Sequence, residues 1–229
     1  MRYLLAIVAA AMLASAAQAH WVFVYVPADK SEAHVVFGHT AAPDPKLFPS
    51  RAEKTELVAR DANGKDAKLT MEKGDGNYFR AKLAGKPVVV FGTTAGGVVQ
   101  RGDNPASLSW YYPKTIVGDA FAKAAVIGKA VPLELVPERD GDKVRFKVLS
   151  DGNPLADAEV TVVPPGKGEE ESPVVKTDKD GRTSAFADRG RYCVAVRRID
   201  EKPGEHDGTK YAIVRHTATL VCDFGGSTK

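Results

Sequence analysis

The sequence predicts an all-β protein made of two tandem immunoglobulin-like β-sandwiches after a cleavable signal peptide. The chain has 229 residues, 44% hydrophobic and 27% charged, which is typical of a folded globular protein. Beyond residues 1–19, helical periodicity is scarce, and short runs of β-branched and aromatic residues alternate with turn signals. The second half predicts about seven short strands in roughly 90 residues, the proportion found in immunoglobulin-like domains.

Residues 1–19 have the pattern of a secretory signal peptide. Arg2 supplies the positive start, residues 3–15 are apolar but too few to span a bilayer, and Ala17-Gln18-Ala19 is a small-x-small cleavage site. We therefore expect a mature chain that begins at His20 and is periplasmic or secreted. No later stretch approaches the roughly 20 apolar residues of a spanning helix, so the protein is not expected to span the membrane.

Residues 20–118 predict an N-terminal β-sandwich domain. Asn63-Gly64 is a strong hairpin signal between two of its predicted strands. Residues 96–105 predict a loop, whereas the aromatic stretch 107–112 is compatible with a strand or a short helix. The predicted strands are 20–26, 33–40, 55–60, 68–71, 78–83 and 87–93.

Residues 119–131 predict a linker, residues 132–224 a C-terminal immunoglobulin-like domain, and residues 225–229 a tail. Turn residues at 178–181 predict a hairpin between two short strands of that domain. The predicted strands are 133–136, 143–149, 158–163, 174–177, 182–187, 191–198 and 211–222.

Charge and motifs exclude several classes of function. The formal net charge is +3 at pH 7, and basic residues alternate with acidic ones, so a nucleic-acid partner is not expected. The sequence contains no nucleophile elbow, no glycine-rich phosphate loop and no His-Glu-x-x-His motif. We therefore expect a protein that is not an enzyme.

The two cysteines, Cys193 and Cys222, are candidates for a disulfide. They lie near the ends of consecutive predicted strands, and an oxidising compartment permits the bond. Strand parity leaves the free-thiol alternative open, because Cys193 alternates with Ala195 whereas Cys222 falls with Leu220.

His20 is the strongest candidate for a metal ligand. Cleavage before it would free an α-amine on a histidine, so that the amine and the imidazole of one residue can chelate one ion. A second histidine would complete a three-nitrogen set suited to nickel, cobalt or copper. His39 is the expected companion, because it lies on the next strand and precedes a proline-rich loop, residues 42–45. The alternative is that His39 is only a hydrogen-bonded histidine at a strand end.

His216 is a possible third side chain for this site. It shares strand parity with Val214, Ala218 and Leu220, which also favours a partly buried structural histidine. His34 is expected on the strand face opposite to His39, and His206 in a polar, solvated loop.

Four stretches give the chain a family resemblance that spans the mature region. The chain resembles the NikM-like periplasmic family of unknown function that is linked to nickel and cobalt uptake. The resemblance implies an extracytoplasmic protein beside a membrane metal transporter, and it implies His20 and His216 as ligand candidates. The stretches are 19–21, 111–118, 152–160 with 177–181, and 215–220.

These observations leave three hypotheses of different classes. The first is a metal-binding accessory protein that captures nickel, cobalt or copper and passes it to a membrane transporter component. The second is a non-enzymatic adhesion or scaffold module of immunoglobulin-like domains. The third is a copper oxygenase built on an N-terminal histidine, which ranks last because no substrate face is evident. Metal titration of the processed protein separates the first two.

Overall fold

The computed structural model describes residues 20–29, 31–47 and 49–225. The predicted signal peptide and all but the first residue of the predicted tail lie outside these ranges. Within them, no helix is long and apolar enough to cross a membrane. The strands are β1 Trp21–Tyr25, β2 Glu32–Gly38, β3 Glu56–Arg60, β4 Asp66–Leu69, β5 Glu72–Lys73, β6 Phe79–Lys82, β7 Val89–Val99, β8 Ser107–Ile116, β9 Leu133–Asp140, β10 Lys143–Ser150, β11 Asn153–Pro154, β12 Glu159–Val163, β13 Val174–Lys176, β14 Gly190–Asp200, β15 Gly204–His206, β16 Thr209–Tyr211 and β17 Ile213–Phe224.

The prediction of an all-β fold is confirmed, since the helical elements are short 3-10 turns. An eight-stranded sheet of order β13-β12-β14-β17-β8-β7-β3-β4 forms the centre of the molecule. Its middle is a parallel pairing of β8 with β17, from Ser107 opposite Ile213 to Thr115 opposite Val221. This pairing joins strands of the two predicted domains, 20–118 and 132–224, in one sheet; their division into separate domains stays a prediction.

Two smaller sheets cover opposite faces of the central one. Alternate side chains of a strand point to opposite faces of its sheet, and the central strands bury side chains on both faces. Tyr112 and Leu220 join the core formed with β9 and β10, which belong to a three-stranded sheet. Tyr111 and Val221 face the four-stranded sheet of order β1-β2-β6-β5. The strands are therefore buried on both sides, which explains their continuous apolar runs.

The predicted linker, 119–131, is a packed connection with 3-10 turns at Lys123–Ala125 and Gly128–Ala130. Ala125 and Ile127 are buried in the core beneath β9 and β10. The carboxylate of Glu134 accepts hydrogen bonds from the backbone N–H groups of Ile127 (2.9 Å) and Gly128 (2.7 Å). The segment is thus fixed to the sheet.

Two local predictions are wrong. Residues 182–187 do not pair with β13; they run beside β10, where Phe186 and Val144 form an isolated bridge. The predicted loop at 96–105 begins later, because β7 continues to Val99 through a register shift between Ala95 and Val98. Gly96 permits this path, since a Cβ there would lie 2.5 Å from the Tyr111 ring.

The candidate disulfide between Cys193 and Cys222 is not formed, and the free-thiol alternative describes the structure: both cysteines are free and buried. Cys193 lies opposite Val221 and Cys222 lies opposite Tyr192, so the cysteines are one register step apart. Their side chains consequently point to opposite faces of the sheet and enter different cores. Burial raises the pKa of Cys222 to about 12, which keeps the thiol protonated.

Candidate metal centre

The β1–β2 hairpin positions His20 and His39 together. The register pairs Trp21 with Gly38, so the residues just beyond this pair, His20 and His39, meet at the open end of the hairpin. Their ring centroids lie 4.1 Å apart with an angle of 46° between the rings. The prediction that these two histidines are neighbours on adjacent strands therefore agrees with the structure.

Aromatic and acidic groups surround the histidine pair. The His20 ring stacks on Phe37 with a centroid distance of 5.6 Å, and Phe37 meets Tyr111 edge to face at 6.3 Å. Asp44 Oδ2 lies 3.9 Å from His20 Nε2. His20 thus has both an aromatic ring and a carboxylate beside it.

Asp44 is a site residue that the sequence reasoning did not select. Its Oδ1 accepts a hydrogen bond from the backbone N–H of Lys46 (2.8 Å), and its carbonyl accepts one from the Asn77 side-chain amide (2.8 Å). These bonds fix the loop after β2, so the carboxylate stays beside His20. The available signal was the proline-rich loop at 42–45, which the sequence marked only as a place where sites gather.

The side chains at this end of the hairpin provide an incomplete donor set for a metal. Among the described residues, no group of three or more His, Cys, Asp or Glu side chains is arranged to hold a metal ion. Two imidazoles can supply two nitrogen ligands, as nickel, cobalt and copper accept. A third nitrogen ligand would have to come from the main chain, and cleavage before His20 would free an α-amine on the same residue as one of the imidazoles.

The structure does not bring His216 to this pair. His216 Nδ1 lies 2.7 Å from the Tyr112 hydroxyl, and its Nε2 lies 3.3 Å from Asp200 Oδ2, so both ring nitrogens are occupied. The side chain is only 12% exposed. Burial and then the positive charge of Arg198 lower the pKa of His216, against the opposing effect of Asp200. These contacts favour the structural alternative for His216.

The other two histidines also lie apart from the pair. His34 stacks on Tyr78 at 4.4 Å, and its Nδ1 lies 3.2 Å from the Tyr25 hydroxyl. His206 is in the β15–β16 hairpin, where its ring meets Trp110 edge to face at 6.3 Å. Both His34 and His206 therefore lie outside the candidate metal centre.

Comparison with known protein families identifies the family to which the chain belongs. The family described as "Domain of unknown function (DUF4198)" matches residues 17–200. The chain belongs to this family. The DUF4198 match includes His20, His39 and Asp44, and it ends before β17, where His216 lies. No curated protein matches the chain.

Proposed function

We propose that the protein is a periplasmic metal-binding accessory protein that captures a divalent transition metal at His20 and His39. The captured ion is cargo, which a membrane transporter component would then receive. The observation that carries the proposal is the 4.1 Å separation of the two imidazole centroids at the predicted start of the mature chain.

The chemistry of the donors supports nickel, cobalt or copper as the cargo. Imidazole and amine nitrogens are ligands of intermediate softness, which suit these ions better than magnesium or calcium. Affinity alone would favour copper in this series. The resemblance to the NikM-like family is the reason to include nickel and cobalt, since it links such proteins to uptake of those two ions.

Asp44 extends the proposed site beyond the nitrogen donors. At 3.9 Å from His20 Nε2 the carboxylate is beyond hydrogen-bond distance of the imidazole, but its negative charge can attract the bound cation. We therefore expect Asp44→Asn to weaken binding less than His39→Ala, because the nitrogen ligands remain.

Calorimetry with nickel, cobalt and copper on protein that starts at His20 tests the proposal. His39→Ala should weaken binding at least about tenfold, because one of three nitrogen ligands is lost. One alanine added before His20 should also weaken it, since the amine then leaves the imidazole's own residue. Binding should weaken as pH falls, because protons compete for the same lone pairs.

His206→Ala is the control, since His206 lies in a separate hairpin. If the wild type, His39→Ala, the extended chain and His206→Ala all bind equally, the proposed site is wrong. If none binds, the adhesion or scaffold alternative replaces metal capture. The exposed side chains of Val174 (61%) and Ile199 (54%) would then be the surface to test.

A further inference from the structure

Three arginines gather on the face of the central sheet that the four-stranded sheet covers only in part. Arg197 lies on β14 opposite Thr217, and Arg215 lies on β17 opposite Ile199, so both side chains share one face. Arg101 follows β7 in the loop that leads to β8. We call these residues the arginine cluster.

The arginine cluster has no counter-ion within the part of the chain that the structure describes. Among the described residues, none of its guanidinium groups has a carboxylate within 4.0 Å, and Arg215 Nε is buried without a hydrogen-bond partner. Arg198, the next residue on β14, is by contrast paired with carboxylates: its Nε lies 2.9 Å from Asp200 Oδ1, and its Nη1 lies 3.2 Å from Asp151 Oδ2. Buried donors and clustered like charges are costly when nothing compensates them.

The charges of Arg215 and Arg101 act on the guanidinium group of Arg197. The pKa of Arg197 is lowered, first by desolvation and then by the like charges of Arg215 and Arg101, while Tyr111 opposes this effect. The positive charge is therefore available to a ligand.

A groove of about 370 Å³ opens beside Arg197. Trp21, Ala195 and Ile199 form its apolar walls. Both the volume and the lining of the groove are within the range of small-molecule sites. Glu159 also lines the groove, but its carboxylate lies 3.8 Å from Lys176 Nζ, and Arg197 is not within ion-pair distance of it. The groove thus combines an apolar surface with an uncompensated positive end.

We infer that the arginine cluster binds an oxyanion, the carboxylate or phosphate group of a small ligand whose body lies in the groove. Guanidinium groups recognise both kinds of oxyanion through paired, charge-assisted hydrogen bonds. The apolar walls of the groove can contact the hydrocarbon part of an organic carboxylate, whereas inorganic phosphate has no such part. This inference goes beyond metal capture and does not depend on it.

Calorimetry on metal-free protein in Tris buffer at low ionic strength tests the inference, with inorganic phosphate and citrate as separate probes. At least one probe should bind, and Arg197→Gln should weaken it at least about tenfold, because a charge-assisted contact is lost. Tighter binding of citrate identifies an organic carboxylate as the ligand class, and tighter binding of phosphate identifies a phosphate group.

Arg191→Gln is the matched control. Arg191 lies on the same strand and face as Arg197, but it has its own carboxylate, Asp223 Oδ2, at 3.3 Å. This variant should bind the probe as the wild type does. Arg101→Gln changes an exposed loop residue, so it decides the question if Arg197→Gln does not fold. Absence of binding of both probes at about 1 mM, or equal binding by the wild type, Arg197→Gln and Arg101→Gln, would overturn the inference.

Discussion

At the scale of single residues, Lys114 and Glu134 form an ion pair in the interior of the protein. Lys114 Nζ lies 2.6 Å from Glu134 Oε1, and the side chains are 2% and 1% exposed. Lys114 also donates to the carbonyl of Ala125 (3.3 Å), so the pair joins β8, β9 and the connection between them. Desolvation lowers the pKa of Lys114, and the neighbouring carboxylate of Glu134 acts against this effect.

Lys114→Met should lower the free energy of unfolding by about 3–5 kcal/mol, because it leaves the buried Glu134 carboxylate without its counter-ion. Urea denaturation measures this change. The double variant Lys114→Met with Glu134→Leu should recover only part of the loss: no charge then remains buried, but the N–H groups of Ile127 and Gly128 lose their acceptor. Lys167→Met, which breaks an exposed pair with Glu171, should change stability little. A Lys114→Met protein as stable as the wild type would contradict the assignment.

His216 should make stability depend on pH. Its pKa is lowered in the folded protein, chiefly by burial, so the unfolded chain takes up a proton at a pH where the folded chain does not. Stability is therefore retained above the unfolded histidine pKa of about 6.5 and lost as pH falls below it. Urea denaturation about one pH unit above and below that value measures the loss.

His216→Gln should show a smaller loss over the same pH interval, although its stability is lower throughout because two contacts are changed. His206→Gln, in the exposed β15–β16 hairpin, should keep the pH dependence of the wild type. An unchanged slope in His216→Gln would assign the dependence to other groups.

At the scale of elements, β1 is held to the central sheet by a side-chain bond as well as by packing. The Thr219 hydroxyl on β17 donates to the carbonyl of Val22 at 2.7 Å. Val22 and Val24 pack into one core and Trp21 and Phe23 into another, so β1 is buried on both faces. β1, which holds His20 beside His39, is thereby fixed in position.

Thr219→Val should lower the free energy of unfolding by about 1 kcal/mol, because it removes this hydrogen bond while keeping the side-chain volume. It should also weaken metal binding at His20, since β1 is less firmly placed. Thr217→Val is the control: it is buried on the same strand and face, and its hydroxyl has no such bond to β1. Equal effects of the two substitutions would show that the Thr219 bond contributes nothing.

Sequence patterns predicted most strands because β-branched and aromatic runs between turn residues are local signals. The proximity of His20 and His39 was predictable for the same reason, since one hairpin carries both. Pairing between distant segments was not predictable: residues 182–187 look like a strand, but their partner is β10 rather than β13. The arginine cluster was missed because its members come from β14, β17 and a loop, and only the register brings them together.

At the scale of the whole molecule, the parallel pairing of β8 with β17 makes one sheet from both halves of the chain. Tyr112 of the first half and Leu220 of the second half belong to the same core. Strands separated by about a hundred residues therefore support each other, and neither half has a complete sheet alone. Such shared cores unfold as one cooperative unit.

The full chain should accordingly unfold in a single transition, and a fragment of residues 20–118 should not fold by itself. In that fragment, β8 loses β17 and becomes an exposed sheet edge, which promotes aggregation. Coincident denaturation curves by circular dichroism and tryptophan fluorescence test the first point, and dispersion of amide signals in NMR spectra of the fragment tests the second. A well-dispersed spectrum of the fragment would instead support two independent domains.

The bond between Thr219 and Val22 also constrains the order of events during folding, because 197 residues separate the two partners. β1 pairs with β2 early, but it reaches β17, against which it is anchored, only when nearly the whole chain is present. Contacts of such long sequence separation slow folding, because the loop they close has to be ordered first. If the chain is exported from its N-terminus, as we propose, the β1–β2 hairpin with His20 and His39 would thus leave the cytoplasm first and reach its place against the central sheet among the last.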